Sequence, residues 1–298
     1  MKTKIIRLKF LSPVHFGVKR LSESEISFKS DTLFSALFIE ALKKNIEKEF
    51  LEITKNDKLI FSDAFPYIDY EYFLPKPILD TEFGNTETEK KQFKKTKYIR
   101  YNDLDGFMEG KIDIEQKCMQ DFGVFELSEK TSLQGIESEP YIVETFRFND
   151  KSGLYIIVKV DDDSEKLIID LLKSLELTGI GGKKSSGYGR FTFKVLEIED
   201  IIELINRKAK RKLLISTALP KQDELENALE EANYSLIKRS GFIDSVSYSN
   251  NLVKKKDIFA FASGSIFEKS FKGDIYTIAT NGTHSVYRYL KPLFLEVQ

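Results

Sequence analysis

Residues 179–191 read GIGGKKSSGYGRF, with five glycines, two lysines, two serines, a tyrosine and an arginine. Bare backbone can approach a ligand closely and turn successive N–H groups toward an anion. Lys183, Lys184 and Arg190 add cations, Ser185, Ser186 and Tyr188 add donors, and Tyr188 adds a face for stacking. Such a set suits an RNA backbone. A tight turn that seats a helix end on a strand, with its lysines simply solvated, fits the same residues. Neither common phosphate-loop pattern is present. Both need a glycine five residues after the first, and Lys184 stands there after Gly179. Starting the dinucleotide pattern at Gly187 ends on Thr192.

Other chemistry is sparse. The chain has one cysteine, Cys118, and two histidines, His15 and His284, far apart in sequence. That leaves no internal disulfide framework and no cysteine-based zinc site, and it suits a reducing cytoplasm. Any metal site would be nearly all carboxylate. The densest acidic run, DDDSE at 161–165, opens a predicted helix, where negative charge meets the positive end of the helix dipole. Capping is expected there, and no metal or cofactor is expected. A metal-independent ribonuclease needs a base for the 2′-OH and an acid for the leaving oxygen. His15 has no second histidine nearby, so it is read as fixing the loop after the first strand, and His284 is read the same way.

The bulk of the chain bounds these readings. Its 298 residues make one large domain or two ordinary ones, and 41% hydrophobic residues supply real cores. No apolar run reaches the roughly 18 residues of a membrane span, and the charged start MKTKIIRLKFLSP does not read as a signal peptide. Net charge is −1, which counts against a protein that coats nucleic acid alone. The charge is clustered, however. KKQFKKTKYIR at 90–100 holds six cations and no anion, RKAKRK at 207–212 holds five cations, and acidic runs balance them. One basic and one acidic face are expected.

The elements that must position these residues follow from periodicity. KTKIIRLKFL (2–11) alternates as a strand, and SPVHFG turns the chain. Residues 30–50 predict an amphipathic helix, capped by Ser30 or Asp31, with Leu33, Phe34, Leu37, Phe38, Ala41 and Leu42 as its stripe. KLIFSDAFPYI (58–68) predicts a strand. Residues 69–150 lose periodicity and read as a long insertion. GLYIIVKV (153–160) is a strand, 161–179 a capped helix ending at Gly179, and RFTFKVLEI (190–198) a strand. The order βαββαβ is that of a ferredoxin-like (RRM-like) unit. After 203–212 the pattern partly restarts, with KLLISTALP a strand, 221–232 a helix, and strands in NYSLIKRSG, FIDSVSYS, KDIFAFASGS and DIYTIAT. The fold class expected is α+β, two ferredoxin-like domains in tandem, 1–205 with the insertion and 206–298 a degenerate copy.

In that setting the Gly-rich loop resembles the one in the repeat-associated mysterious proteins (RAMPs) of CRISPR systems. SPVHFG after the first strand and SDTLFSALF at the first helix resemble the same family. GSIFE and THSVYRYLKPLF resemble a C-terminal signature of one subgroup, the type III-A (Csm) subunit that holds the 5′ handle of the CRISPR RNA. The chain departs from that signature at Ser285 and Leu290, where the subgroup often has proline and glycine.

The resemblance implies a non-catalytic, cytoplasmic subunit that binds the 5′ handle. It would bridge the large polymerase-like subunit to an adjacent backbone RAMP subunit, with no membrane. RNA contacts are then expected from Gly181, Gly182, Lys183, Lys184, Ser185, Ser186, Tyr188 and Arg190 in the loop, and from His15 and Lys19 after the first strand. They are also expected from Ser30, Thr32 and Ser35, where the first helix would receive a phosphate, and from Lys94, Lys95, Lys97, Arg100 and Tyr101 in the insertion. Residues 120–148 would form a thumb, with Phe122, Phe125 or Phe146 wedging bases apart and Arg147 on the backbone. The backbone subunit's catalytic aspartate has no counterpart in 17–29, which holds Glu23 and Glu25. The alternatives are a CRISPR RNA-processing endoribonuclease using His15 as base, and a scaffold that touches no RNA.

Overall fold

A computed structural model describes residues 1–18, 20–79, 95–110, 119–132, 139–243, 245, 248 and 253–297. The chain opens with β1 (Lys2–Phe10), a small hairpin of β2 (Phe16–Gly17) and β3 (Ser24–Glu25), then α1 (Ser30–Lys43) and α2 (Glu47–Lys55). Next come β4 (Leu59–Phe61), β5 (Phe65–Ile68), β6 (Glu71–Pro75) and β7 (Tyr98–Arg100), and a long hairpin of β8 (Gly123–Ser132) and β9 (Glu139–Phe148). Then follow β10 (Ser152–Val160), α3 (Asp162–Thr178), β11 (Phe191–Leu196) and α4 (Glu199–Asn206). The remainder holds β12 (Arg211–Leu214), β13 (Leu236–Arg239), β14 (Ile258–Phe261), β15 (Ile266–Phe267), β16 (Asp274–Ala279), β17 (Val286–Leu290) and β18 (Phe294–Val297).

The main sheet runs β11-β1-β10-β5-β6-β7, and β4 also pairs with β10. Its central strands are antiparallel, with Ile6 opposite Ile156 in β1–β10 and Tyr155 opposite Phe65 in β10–β5. Strand β10 is buried on both faces, which its near-continuous apolar run SGLYIIVKV demands. Leu154, Ile156, Val158 and Val160 face the core under α1 and α3. Tyr155 and Ile157 face a second core, covered by Ile201 and Ile205 of α4, Leu213 of β12, and Leu295 and Val297 of β18. The C-terminal segment also reaches the first core. The Tyr289 ring, fully buried, lies 5.5 Å from Phe34 and 5.4 Å from Phe61.

The expected strand over 58–68 is split, and the split has a purpose. Ser62 stays on β10, its N–H donating to Ile157 O at 2.9 Å and its Oγ accepting the Ile157 N–H at 2.8 Å, and Asp63 turns inward at 1% exposure. Its Oδ1 accepts the N–H of Ser30 at 2.8 Å and of Thr217 at 2.8 Å, and its Oδ2 accepts the Thr217 hydroxyl at 3.1 Å. One carboxylate thus caps α1 and ties it to the C-terminal segment. Neither Ser30 nor Asp31 caps the helix; the residue in that position is Lys29, which makes no side-chain cap bond.

Other expectations shift for local reasons. The helix over 30–50 breaks where Asn45 takes φ 58°, giving two helices. The helix over 161–179 holds, with Asp161 accepting from Ser164 N–H at 2.9 Å and Gly179 at φ 78° ending it. Within the predicted insertion, β6 and β7 extend the sheet because Leu74, Ile99, Leu104 and Phe107 complete the second core. The helix over 221–232 shrinks to Leu225–Leu229. Among the described residues the C-terminal segment forms small two- and three-stranded sheets with no second long helix.

Asp63→Ala leaves two buried N–H groups without an acceptor and Lys29, 3.6 Å away, without its counter-charge. The expected loss is about 3 kcal/mol, read as a lower urea midpoint, with Asp63→Asn retaining part of it.

Candidate nucleic-acid interface

A cleft of about 470 Å³ opens where four stretches far apart in sequence meet. They are the loop after β1 (His15–Gly17), the first turns of α1 (Asp31, Thr32, Ser35), the Gly-rich loop (Ile180–Lys184), and the C-terminal residues Arg239, Lys255 and His284–Arg288. Among the described residues lining it are six cations, Lys29, Lys183, Lys184, Arg239, Lys255 and Arg288, against two carboxylates, Glu25 and Asp31. A chain of net charge −1 thus concentrates four surplus positive charges in one concavity. Such a cleft focuses field and attracts anions.

The Gly-rich loop is shaped by close approach. Gly182 N–H donates to His15 O at 2.8 Å, and a Cβ on Gly182 would fall 2.7 Å from His15 Cδ2. Gly189, at φ 75°, donates to Pro13 O, and its Cβ would lie 2.0 Å from Ile180 O. Lys183 takes the left-handed conformation at φ 57° and leads into a tight turn over Lys184–Ser186. Its ammonium stands 4.7 Å over the Tyr141 ring of β9, and Lys130 of β8 stands 4.8 Å over Tyr188. These two cation–π contacts tie the loop to the long hairpin.

His15 is 4% exposed, and its Nδ1 donates to Glu144 O at 2.7 Å. Glu144 also accepts Ser24 N–H at 2.6 Å, so the histidine joins the β2–β3 hairpin, the Gly-rich loop and β9. Behind the α1 wall, Asp31 at 4% exposure binds two arginines. Arg239 grips it through Nε at 3.0 Å and Nη2 at 2.7 Å, and Arg288 through Nη1 at 2.6 Å. Burial alone would raise the Asp31 pKa, but Arg239 and Arg288 hold it below the ordinary carboxylate value. Burial pushes the Arg288 guanidinium below its ordinary value. Burial also works against the Lys29 ammonium, yet Asp63, Tyr98 and Glu25 hold its pKa above the ordinary lysine value.

Seven of the expected contact residues line this cleft: His15, Thr32, Ser35, Gly181, Gly182, Lys183 and Lys184. Ser185, Ser186 and Arg190 are exposed on the outer turn of the same loop, beside Tyr188. Lys19 and Lys94 lie outside the described residues.

Several expectations are corrected. Ser30 is fully buried and its N–H is committed to Asp63, so neither it nor the α1 N-terminus is open to a phosphate. Arg100 pairs with Glu71 at 3.3 Å, and the Tyr101 hydroxyl donates to Asp200 at 3.0 Å with its ring against the second core. Those two and the exposed Lys95 and Lys97 belong to the β7 region and are not among the residues that line the cleft. Phe122 and Phe146, at 1% and 0% exposure, are core residues, whereas Phe125 is 45% exposed on the hairpin. Arg147 is exposed and bound to Glu126 at 2.7 Å.

Sequence reasoning missed Lys29, Arg239, Lys255 and Arg288. For Arg288 the signal was present, because it sits in the C-terminal run VYRYL that carried the family resemblance. Among the described residues no cluster of three or more His, Cys, Asp or Glu is arranged to hold a metal.

Comparison with known proteins identifies the family. Residues 7–192 match the family model of the RAMP superfamily, and residues 207–297 match that of the CRISPR Csm4 C-terminal domain. The chain is 33% identical to the Csm4 protein of Mycobacterium tuberculosis over 99% of this chain and 98% of that protein. The chain therefore belongs to the RAMP superfamily and, within it, to the Csm4 family of CRISPR systems. Its fold is similar to a crystal structure of the Csm3–Csm4 subcomplex in the type III-A CRISPR-Cas interference complex (TM-score 0.69, 20% identity, 100% of both chains). It is also similar to a Csm1–Csm4 cassette in complex with pppApA (TM-score 0.64, 18% identity, 99% of this chain and 98% of that one).

Two outcomes follow from the geometry. Gly187→Ala, at φ 83° with open space around it, is expected to cost only about 1 kcal/mol. Gly189→Ala, which meets backbone, should cost far more in the urea midpoint. Asp31 contributes stability above its unfolded pKa of about 3.8, and that stability is lost as pH falls through the lower folded value. In acid titrations followed by circular dichroism, Asp31→Asn should lack this component of the pH dependence below about 4.

Proposed function

We propose that this Csm4-family chain is a non-catalytic subunit of a type III-A Csm complex that grips the 5′ repeat-derived handle of the CRISPR RNA in the cationic cleft. The observation that carries this reading is the convergence of the Gly-rich loop, the loop after β1, the start of α1 and the C-terminal arginines on one concavity with six cations and two carboxylates. Backbone contacts would dominate affinity, with splayed bases held in the surrounding pockets. The contacts of the β8–β9 hairpin with the loop, Lys183–Tyr141 and Lys130–Tyr188, support it as the thumb. His15 supports a positioning role over a catalytic one, since it is buried with Nδ1 committed to a backbone carbonyl.

The chain would bridge the large polymerase-like subunit to an adjacent backbone RAMP subunit in the prokaryotic cytoplasm. The Csm1–Csm4 and Csm3–Csm4 structures of relatives support those two contacts. The antiparallel order β11-β1-β10-β5 with α1 and α3 on one face supports a ferredoxin-like N-terminal unit. The order β12, short helix, β13 supports a degenerate second copy after residue 205.

Lys183→Ala with Lys184→Ala removes two cations facing the strand. Binding of repeat-derived RNA should weaken, and the slope of log K against log salt should fall by about 1.4, at about 0.7 per phosphate contact on a single strand. An unchanged slope and unchanged protection of the RNA's 5′ segment would refute the reading.

A further inference from the structure

Arg288 sits in the middle of β17 at 4% exposure and lines the cleft. Its Nη1 is fixed on Asp31 at 2.6 Å. The other edge of the guanidinium is nearly unused. Nη2 reaches only the carbonyl of Ser240, at 3.5 Å, and the buried Nε–H has no acceptor among the described residues. A buried donor without a partner costs about 1–3 kcal/mol, and such groups in native proteins call for an explanation.

Charge points the same way. Asp31 is shared by two guanidiniums, because Arg239 binds both of its oxygens and also reaches Thr32 Oγ1 at 3.1 Å. Asp63 and Glu25 also act on Arg239, without a hydrogen bond to it. Among the described residues the wall thus sets Lys29, Arg239, Lys255 and Arg288 against Asp31, Asp63 and Glu25, a surplus positive charge in a desolvated region that is costly unless an anion completes it. The next carboxylate acting on Arg288 is Asp257. Its Oδ2 is engaged by Lys238 at 2.8 Å and Lys254 at 3.5 Å, and its buried Oδ1 makes no hydrogen bond to the Arg288 Nε–H.

We infer that Arg288 and Arg239, held by Asp31, form a phosphate-binding subsite in the C-terminal wall of the cleft, with the Nε–Nη2 edge of Arg288 as its fork. A neutral carbonyl would satisfy the Nε–H but not the surplus charge. A phosphate supplies both, and its oxygens match the side-on edge of a guanidinium. Asp31 is then a positioning residue that fixes Arg288 by Nη1 and Arg239 by its Nε–Nη2 edge. The ligand is a phosphate of the RNA, either an internal phosphodiester or a terminal 5′-phosphate, and in this the inference rests on the RNA-binding reading above.

The test uses the full chain labelled with nitrogen-15. The Nε–H resonance of Arg288 is assigned by its through-space contacts within β17, so no variant is needed. Inorganic phosphate replaces chloride at constant ionic strength. A saturable shift of this resonance, with slower exchange against water, is expected, and its absence would overturn the subsite. Repeat-derived RNA is then added in 5′-hydroxyl and 5′-monophosphate forms. A shift with both assigns an internal phosphodiester, and a shift with the monophosphate form alone assigns the terminal group. RNA that binds without moving this resonance removes the subsite and leaves the RNA-binding reading. A shift with inorganic phosphate while neither RNA binds keeps the subsite and removes that reading.

Discussion

A strand that is apolar on both faces must be covered on both, and β10 imposes that condition on the whole molecule. Helices α1 and α3 cover one face, as the βα order of the chain provides. Among the described residues of the N-terminal part, Leu74, Ile99, Leu104 and Phe107 contribute to the cover of the other. The C-terminal segment adds α4, β12 and β18 to that cover, and it also sends Tyr289 into the first core. Once the segment is anchored at both places, the ribbon between them is carried to the mouth of α1. The cationic cleft exists because of this wrapping.

Two buried carboxylates lock the wrapping in register. Asp63 joins the start of α1 to Thr217, and Asp31 joins the same helix turn to Arg239 and Arg288. Breaking either would leave charged or polar groups stranded in a desolvated region. Both sit at the helix end that faces the cleft, so fold stability and the geometry of the anion-attracting wall depend on the same few contacts. Net charge says little about such a protein. The lysines and arginines that matter converge from five places in the chain, while acidic residues are paired elsewhere, as with Lys2–Asp162 and Lys4–Glu197.

Much of the N-terminal fold was legible because its signals are local. The alternation of β1, the apolar run of β10, the Asp161 cap and the Gly179 stop each depend on neighbours in sequence. The close backbone approach of the Gly-rich loop was legible for the same reason, since so many glycines in one turn leave room for it. Phe122 and Phe146 misled because an aromatic residue looks the same in sequence whether it fills a core or stands free. Asp31 misled because an acid at a helix start resembles a cap, whereas its partners lie more than 200 positions away.

By itself, the sequence determined the α+β class, the central strand, the two long helices and the family resemblance, since each rests on short-range pattern. Only the tertiary structure decided that Asp63 caps α1, that Arg239, Lys255 and Arg288 line one cleft with the Gly-rich loop, and that Tyr101 and Arg100 bind Asp200 and Glu71 instead. The reason is physical. Which side chains share a desolvated wall depends on how two apolar faces of one sheet find cover, and that is a property of the packed chain rather than of any window within it.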